Sequence, residues 1–192
     1  MAKAFNKIFW GSLLVFFNFY INNFDILPNF LGYLFIYLGL TGLMSYSDQF
    51  SKAKTYVLIL GVVSIPLIYQ FEAHITEQIE MTTNTYILMA IYMVVAFVQL
   101  GFVYHFMRGL LEIAQVAPFT SLEKKTGTLL RFYIILTIVT QIISLLILIS
   151  HAFALSLAPI ILVLAIVSFI VEIILLVLIR QFRSKSLEQD MN

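Results

Sequence analysis

The 192 residues include no cysteine, which excludes disulfides, thiolate metal sites and thiol nucleophiles. Charge is also scarce: Asp, Glu, Lys and Arg make up 11% of the chain and leave a formal net charge of +1. Such a balance offers no basic surface for nucleic acid and no long-range steering field. The four prolines and eight glycines are spread too thinly to mark a linker, so a single domain over residues 1–192 is expected. Motifs for metalloprotease, serine hydrolase, kinase or P-loop chemistry are missing. The polar segments are too short to hold a catalytic domain. No catalytic residues, metal site or cofactor are therefore expected.

Apolar residues are what the chain has in quantity. It is 61% hydrophobic with a mean hydropathy of +1.00. A soluble domain of this size cannot bury that much apolar surface, so lipid must solvate most of the side chains. Apolar runs fall at roughly 5–22, 26–46, 55–71, 85–107, 128–151 and 157–180, each near the ~20 residues that cross ~30 Å of hydrocarbon. Alternating segments of period 2, the mark of a membrane barrel, do not occur. The expected fold class is all-α, an integral membrane bundle of six transmembrane helices. The first run follows basic residues as a signal peptide would. It lacks a small-x-small cleavage site, so a retained helix is expected.

Orientation follows from the cations. Lys3 and Lys7 precede span 1, and Lys52 and Lys54 lie between spans 2 and 3. Arg108, Lys124, Lys125 and Arg131 surround the connection between spans 4 and 5, and Arg180, Arg183 and Lys185 follow span 6. Six spans put all of them on one side, which the positive-inside rule assigns to the cytoplasm together with both termini. A wrong span count would scatter them. The expected location is the cell membrane, multi-pass. Within the long inner connection, Arg108 and Glu112 are spaced to pair on a helix that Pro118 then ends.

The stretch Asn18–Tyr33, NFYINNFDILPNFLGY, sets four asparagines, an aspartate and a proline among lipid-compatible residues. One reading is a tight outer turn, with Asp25 as N-cap of a second helix starting at Ile26 and Pro28 in its first turn. The other is a polar site at the membrane edge. The cap accounts for Asp25; Asn18, about a turn deeper, needs an interhelical partner or a lined cavity. The residues Phe24, Asp25, Ile26, Leu27, Pro28, Asn29, Gly32 and Tyr33 resemble an FDILP(N/D)xxGY segment near the N-terminus of small uncharacterised polytopic membrane proteins of Gram-positive bacteria. The resemblance implies a bacterial plasma membrane and brings no activity with it.

Glu172 is the one acid well inside a span, and intramembrane acids face the bundle interior or water. Folding spans 5 and 6 into a hairpin puts Thr137 at the depth of Glu172 and Gln141 at the depth of Ser168. Thr137, Gln141 and Ser144 share one helix face, Ser168 and Glu172 another. The two stripes can meet as a polar ladder, with Gln99 of span 4 at similar depth. A functional ladder makes Glu172 a proton- or ion-binding carboxylate; a structural one makes these residues interhelical glue. Arg131, a turn inside span 5, could instead snorkel toward Glu172. Gly32, Gly39, Gly42 and Ser45 form a small-residue stripe where backbones can approach. Pro66 is expected to kink span 3, and Trp10, Tyr20, Tyr56, Tyr69, Tyr86 and Tyr104 to form aromatic belts.

Two functions fit this pattern. A small transporter or solute- or lipid-binding membrane component would use Glu172, Gln141, Thr137, Ser168 and Gln99, or the Asn18/Asp25 mouth. A non-catalytic accessory or immunity-type protein would need only a shaped helical surface. The partners this composition allows are the lipid bilayer and, through helix faces, a further copy of the chain or another membrane protein.

Overall fold

Helical periodicity dominates the computed structural model, which describes residues 1–17, 20–21, 24–25, 29–65, 83–116, 120–150 and 152–191. Among these residues six helices form: α1 (Ala2–Phe16), α2 (Asn29–Thr41), α3 (Asp48–Ser64), α4 (Thr83–Val116), α5 (Thr120–Ile149) and α6 (Ala152–Met191). Between α1 and α2 two short strands, β1 (Tyr20–Ile21) and β2 (Phe24–Asp25), pair antiparallel, Tyr20 opposite Asp25 and Ile21 opposite Phe24.

Each helix packs antiparallel on its neighbour in sequence, and α6 closes the ring on α1. Reciprocal contacts give the register. Gly11 meets Gly32 and Ala4 meets Gly39 across α1 and α2, while Tyr33 meets Gly61 across α2 and α3. Gln49 bonds His105 across α3 and α4, and Gln141 bonds Met93 across α4 and α5. The rings of Phe5 and Phe182 lie 5.9 Å apart at one end of the α1–α6 seam, those of Phe16 and Phe169 5.0 Å apart further along. The start of α1 and the latter part of α6 therefore share one end of the bundle, the basic end.

Three helices are long and apolar enough to cross a membrane, over Tyr86–Val116, Ser121–Ile149 and Ser156–Glu188. Their outward faces carry large exposed apolar side chains such as Val94, Phe97, Ile135, Ile142, Leu162 and Ile166. An apolar exterior of this extent is what lipid, not water, solvates. These helices mark a membrane protein. At 1.5 Å per residue α4, α5 and α6 rise about 45–60 Å, well beyond ~30 Å of hydrocarbon. Lys124 and Lys125 consequently stand on α5 rather than in a loop.

The first half departs from the expected spans. α1 stops at Phe16 instead of reaching residue 22, and Asn18 and Asn22 lie outside the described residues. α2 starts at Asn29 and not at Ile26, so Asp25 is a strand residue paired with Tyr20 and not the cap of that helix. The strands are separated by two asparagines, a residue type suited to tight hairpins. α3 begins seven residues before residue 55 because Ser47 caps it, its hydroxyl accepting from Gln49 N at 3.1 Å. Phe50, Ala53, Val57 and Leu60 then form its buried stripe at helical spacing. Pro66 lies outside the described residues. α6 starts at Ala152 and runs on through Pro159.

The small residues of α2 behave as spacers. Gly32 and Gly39 press on α1 at Gly11, Val15, Ala4 and Ile8, and Gly42 on Ala4; Ser45 is exposed and takes no part. Tyr56 is not a belt residue: its ring stacks on His105 at 5.5 Å and lies over Gly101. At the basic end the bundle is filled by Phe5, Leu43, Phe50, Phe106, Leu110 and Phe182, all fully buried. Toward the other end it is hollow.

Candidate functional site

The hollow part begins at Glu172. On one side lies a cavity of about 190 Å³ between α4, α5 and α6, lined by Gln99, Tyr133, Thr137, Gln141, Ser168 and Glu172 among others. Five of the seven residues singled out from the sequence thus border one space. α5 and α6 pack on each other, and Thr137 and Gln141 of α5 border this cavity together with Ser168 and Glu172 of α6. The helical repeat then stacks each pair along one wall.

Part of this wall is satisfied structure. Gln141 is buried and its Nε2 donates to the Met93 carbonyl at 2.9 Å, tying α5 to α4. Thr140 and Ser144 turn back on their own helix, donating to Leu136 O at 2.9 Å and Thr140 O at 3.0 Å. Gln99 and Tyr133 stand side by side in the same wall. Interhelical bonds such as that of Gln141 hold helices together in lipid at about 0.6–2 kcal/mol each.

Glu172 is different. It is partly buried, and no described residue donates a hydrogen bond or an ion pair to its carboxylate. Arg131 is exposed on the outer face of α5 and does not reach it. Its polar surroundings are phenolic: Tyr33 of α2 and Tyr133 of α5 both lie within electrostatic reach.

A second cavity, of about 410 Å³, opens on the other side of the same residue. It lies among α1, α2, α3, α4 and α6, and its wall includes Ser12, Asn29, Tyr33, Ser64, Gln99 and Glu172. Ser64 is buried and donates to Gly61 O at 2.8 Å, so its lone pairs remain for a guest. Asn29 Oδ1 is buried and has no hydrogen-bond partner. Leaving such an acceptor dry costs about 1–3 kcal/mol. Gln99 and Glu172 line both cavities and form the boundary between them.

Sequence reasoning passed over Asn29, Tyr33, Ser64 and Tyr133. Tyr33 and Asn29 fall inside the FDILP-like segment, where they counted only as motif letters. Tyr133 sits one turn before Thr137 on the same face of α5, a spacing that could have shown it. Asp25 and Asn18 are not placed at either cavity, since the side chain of the first and the whole of the second lie outside what is described. Among the described residues no group of three or more His, Cys, Asp or Glu is arranged to hold a metal ion.

Comparison with protein-family models, with curated proteins and with solved structures finds no match to this chain.

Proposed function

We propose that the chain is a six-span plasma-membrane protein with both termini in the cytoplasm, acting as a small transporter or solute-binding membrane component. Its site is the pair of cavities joined at Glu172. One observation carries the reading: the carboxylate stands in the shared wall of two cavities with no described partner. Glue has no use for an acid held this way: an amide or hydroxyl bonds helices as well, and an unpartnered buried acid must either keep its proton or ionise at a cost of several kcal/mol. A site that takes up a proton or a charged solute needs it.

The orientation rests on charge. Every lysine and arginine lies at or toward the end of the bundle where α1 begins, and that end is assigned to the cytoplasm. The two cavities then lie toward the outer half, where a solute from outside would arrive.

The accessory reading draws on the bonded part of the wall, Gln141 with Met93. Glu172→Gln separates the two, since it keeps shape and hydrogen-bonding capacity while removing the charge. Protein reconstituted in liposomes holding a pH-sensitive dye should show proton flux that Glu172→Gln abolishes, with thermal stability in detergent retained. Unchanged flux and stability in that variant would end the transport role of Glu172.

A further inference from the structure

We propose that the larger cavity is a binding site for a small organic ammonium ion, held by the Glu172 carboxylate and the aromatic wall opposite. The proposal rests on the solute-binding reading above and narrows it to one class of ligand.

Charge decides first. Among the described residues neither cavity has a lysine, arginine or histidine in its wall, and both share Glu172. An anion would meet a carboxylate with no compensating donor. A neutral guest would leave the acid either holding its own proton or ionised at a penalty with no partner. A cation removes the penalty.

The polar groups of the larger cavity also ask for a donor. Asn29 Oδ1 is an orphaned acceptor, Ser64 has already spent its proton on Gly61 O, and an ionised Glu172 only accepts. An ammonium group supplies up to three N–H donors and no acceptor, the complement of this set.

Size and walls exclude a bare metal ion. The space is about 410 Å³, within the range of small-molecule pockets and far larger than one dehydrated cation. Hard cations want six or more oxygen ligands close about one point, whereas the described wall spreads one carboxylate and the oxygens of Ser12, Asn29, Ser64 and Gln99 around a space this wide, together with the rings of Phe16, Tyr33, Tyr92 and Phe102. Aromatic faces attract organic cations through the ring quadrupole. The cavity therefore has an anionic end at Glu172 and apolar, ring-lined sides suited to the hydrocarbon part of an amine.

A set of ligands alike in size and different in charge tests this on the purified full-length protein in detergent. Benzylamine should bind by calorimetry and raise the melting temperature with concentration; benzyltrimethylammonium, which keeps the charge but has no N–H to donate, should bind more weakly, and benzyl alcohol and benzoate should not bind. Glu172→Gln should weaken the ammonium ligands about tenfold to a hundredfold, the loss of one charge-assisted contact. Tyr33→Leu, which leaves the carboxylate in place, should weaken benzyltrimethylammonium about fivefold through the missing ring. It also serves as the test if Glu172→Gln does not fold. Equal binding of benzyl alcohol, tighter binding of benzoate, or undiminished ammonium binding in Glu172→Gln would each overturn the proposal. Glu172-dependent proton flux with no benzyl ligand bound would overturn it too, and would leave the carrier reading standing. Ammonium binding without any flux would support the ligand class and remove transport.

Discussion

Adding one methyl group at Gly11 puts the seam between α1 and α2 under direct test. A β-carbon there would lie 2.6 Å from the Gly32 carbonyl oxygen and 2.8 Å from both N and Cγ1 of Ile36. Ordinary contact begins near 3.4 Å, so the two helices must part by about 0.8 Å, because two of the three obstacles are backbone. Opening a packed seam by ~0.5–1 Å forfeits a quarter to a half of each atom-pair attraction of about 0.1–0.2 kcal/mol. About 40 pairs each losing a third of that amount to about 2 kcal/mol. Helix propensity returns roughly 0.5–1 kcal/mol when alanine replaces glycine. The net cost of Gly11→Ala is then about 1–1.5 kcal/mol.

Gly127 is the control. Its added β-carbon would meet only Leu111 Cδ2, at 3.9 Å, so Gly127→Ala should stabilise by about 0.5–1 kcal/mol. Gly32→Ala repeats the clash from the other helix, 2.6 Å from Val15 Cγ2 and 2.8 Å from Gly11 O. Once the seam has opened the second methyl adds little, so the double variant should cost less than the sum of the singles. Unfolding in mixed micelles titrated with SDS measures all four. A Gly11→Ala protein as stable as wild type, or as Gly127→Ala, would refute the close approach of α1 and α2.

Gln141→Leu should cost about 1 kcal/mol in the same assay, through the bond to the Met93 carbonyl. Ser47→Ala should cost about 1–2 kcal/mol, because its hydroxyl both caps α3 and donates to Glu112 Oε2 at 2.5 Å; Ser47→Asp, which keeps a cap but sets two carboxylates together, should not restore it. Cysteines at Ser51 and Ser121 should resist an impermeant thiol reagent in intact cells, while one at Thr76 should label. Labelling at Ser121 would overturn the six-span orientation.

That polar residues of α5 and α6 border one cavity was legible because the expectation needs only two local facts, the helical repeat and antiparallel packing of neighbouring helices. Thr137 and Gln141 beside Ser168 and Glu172 follow from these without knowledge of any other helix. The larger cavity was not legible, since it is built where five helices meet and no single stretch encodes their arrangement. Gly11 illustrates the difficulty: one glycine on α1 shows its role only once it lies on Gly32. The true start of α3 escaped for another reason. Averaged hydropathy is diluted by Asp48, Gln49, Ser51, Lys52 and Lys54, while the spacing of Phe50, Ala53, Val57 and Leu60 carries the helix. The turn at Asp25 was read as a cap because a carboxylate ahead of a proline fits that role; the strand pairing with Tyr20 takes the same residue for another purpose.

Helix length gives a physical reason for a hollow at one end. α1 and α3 finish at Phe16 and Ser64, and the last turns of both line the larger cavity through Ser12, Phe16 and Ser64. α4 and α6 form the facing wall and continue past it, α4 from Thr83 and α6 from Ala152. Short helices beside long ones cannot fill the space by sliding, because α1 is locked to α2 by the glycine contacts and to α6 by Phe5 on Phe182. The densely filled basic end thus sets the positions from which the helices run on to wall the cavity. Substitutions that loosen that end, such as Phe50→Ala, should lower stability by about 3–5 kcal/mol and change cavity binding only through unfolding. Polar substitutions at Asn29 or Glu172 should change binding with little loss of stability. If Phe50→Ala instead altered ammonium affinity at temperatures where the protein remains folded, the two ends would be coupled and this division between them would fail.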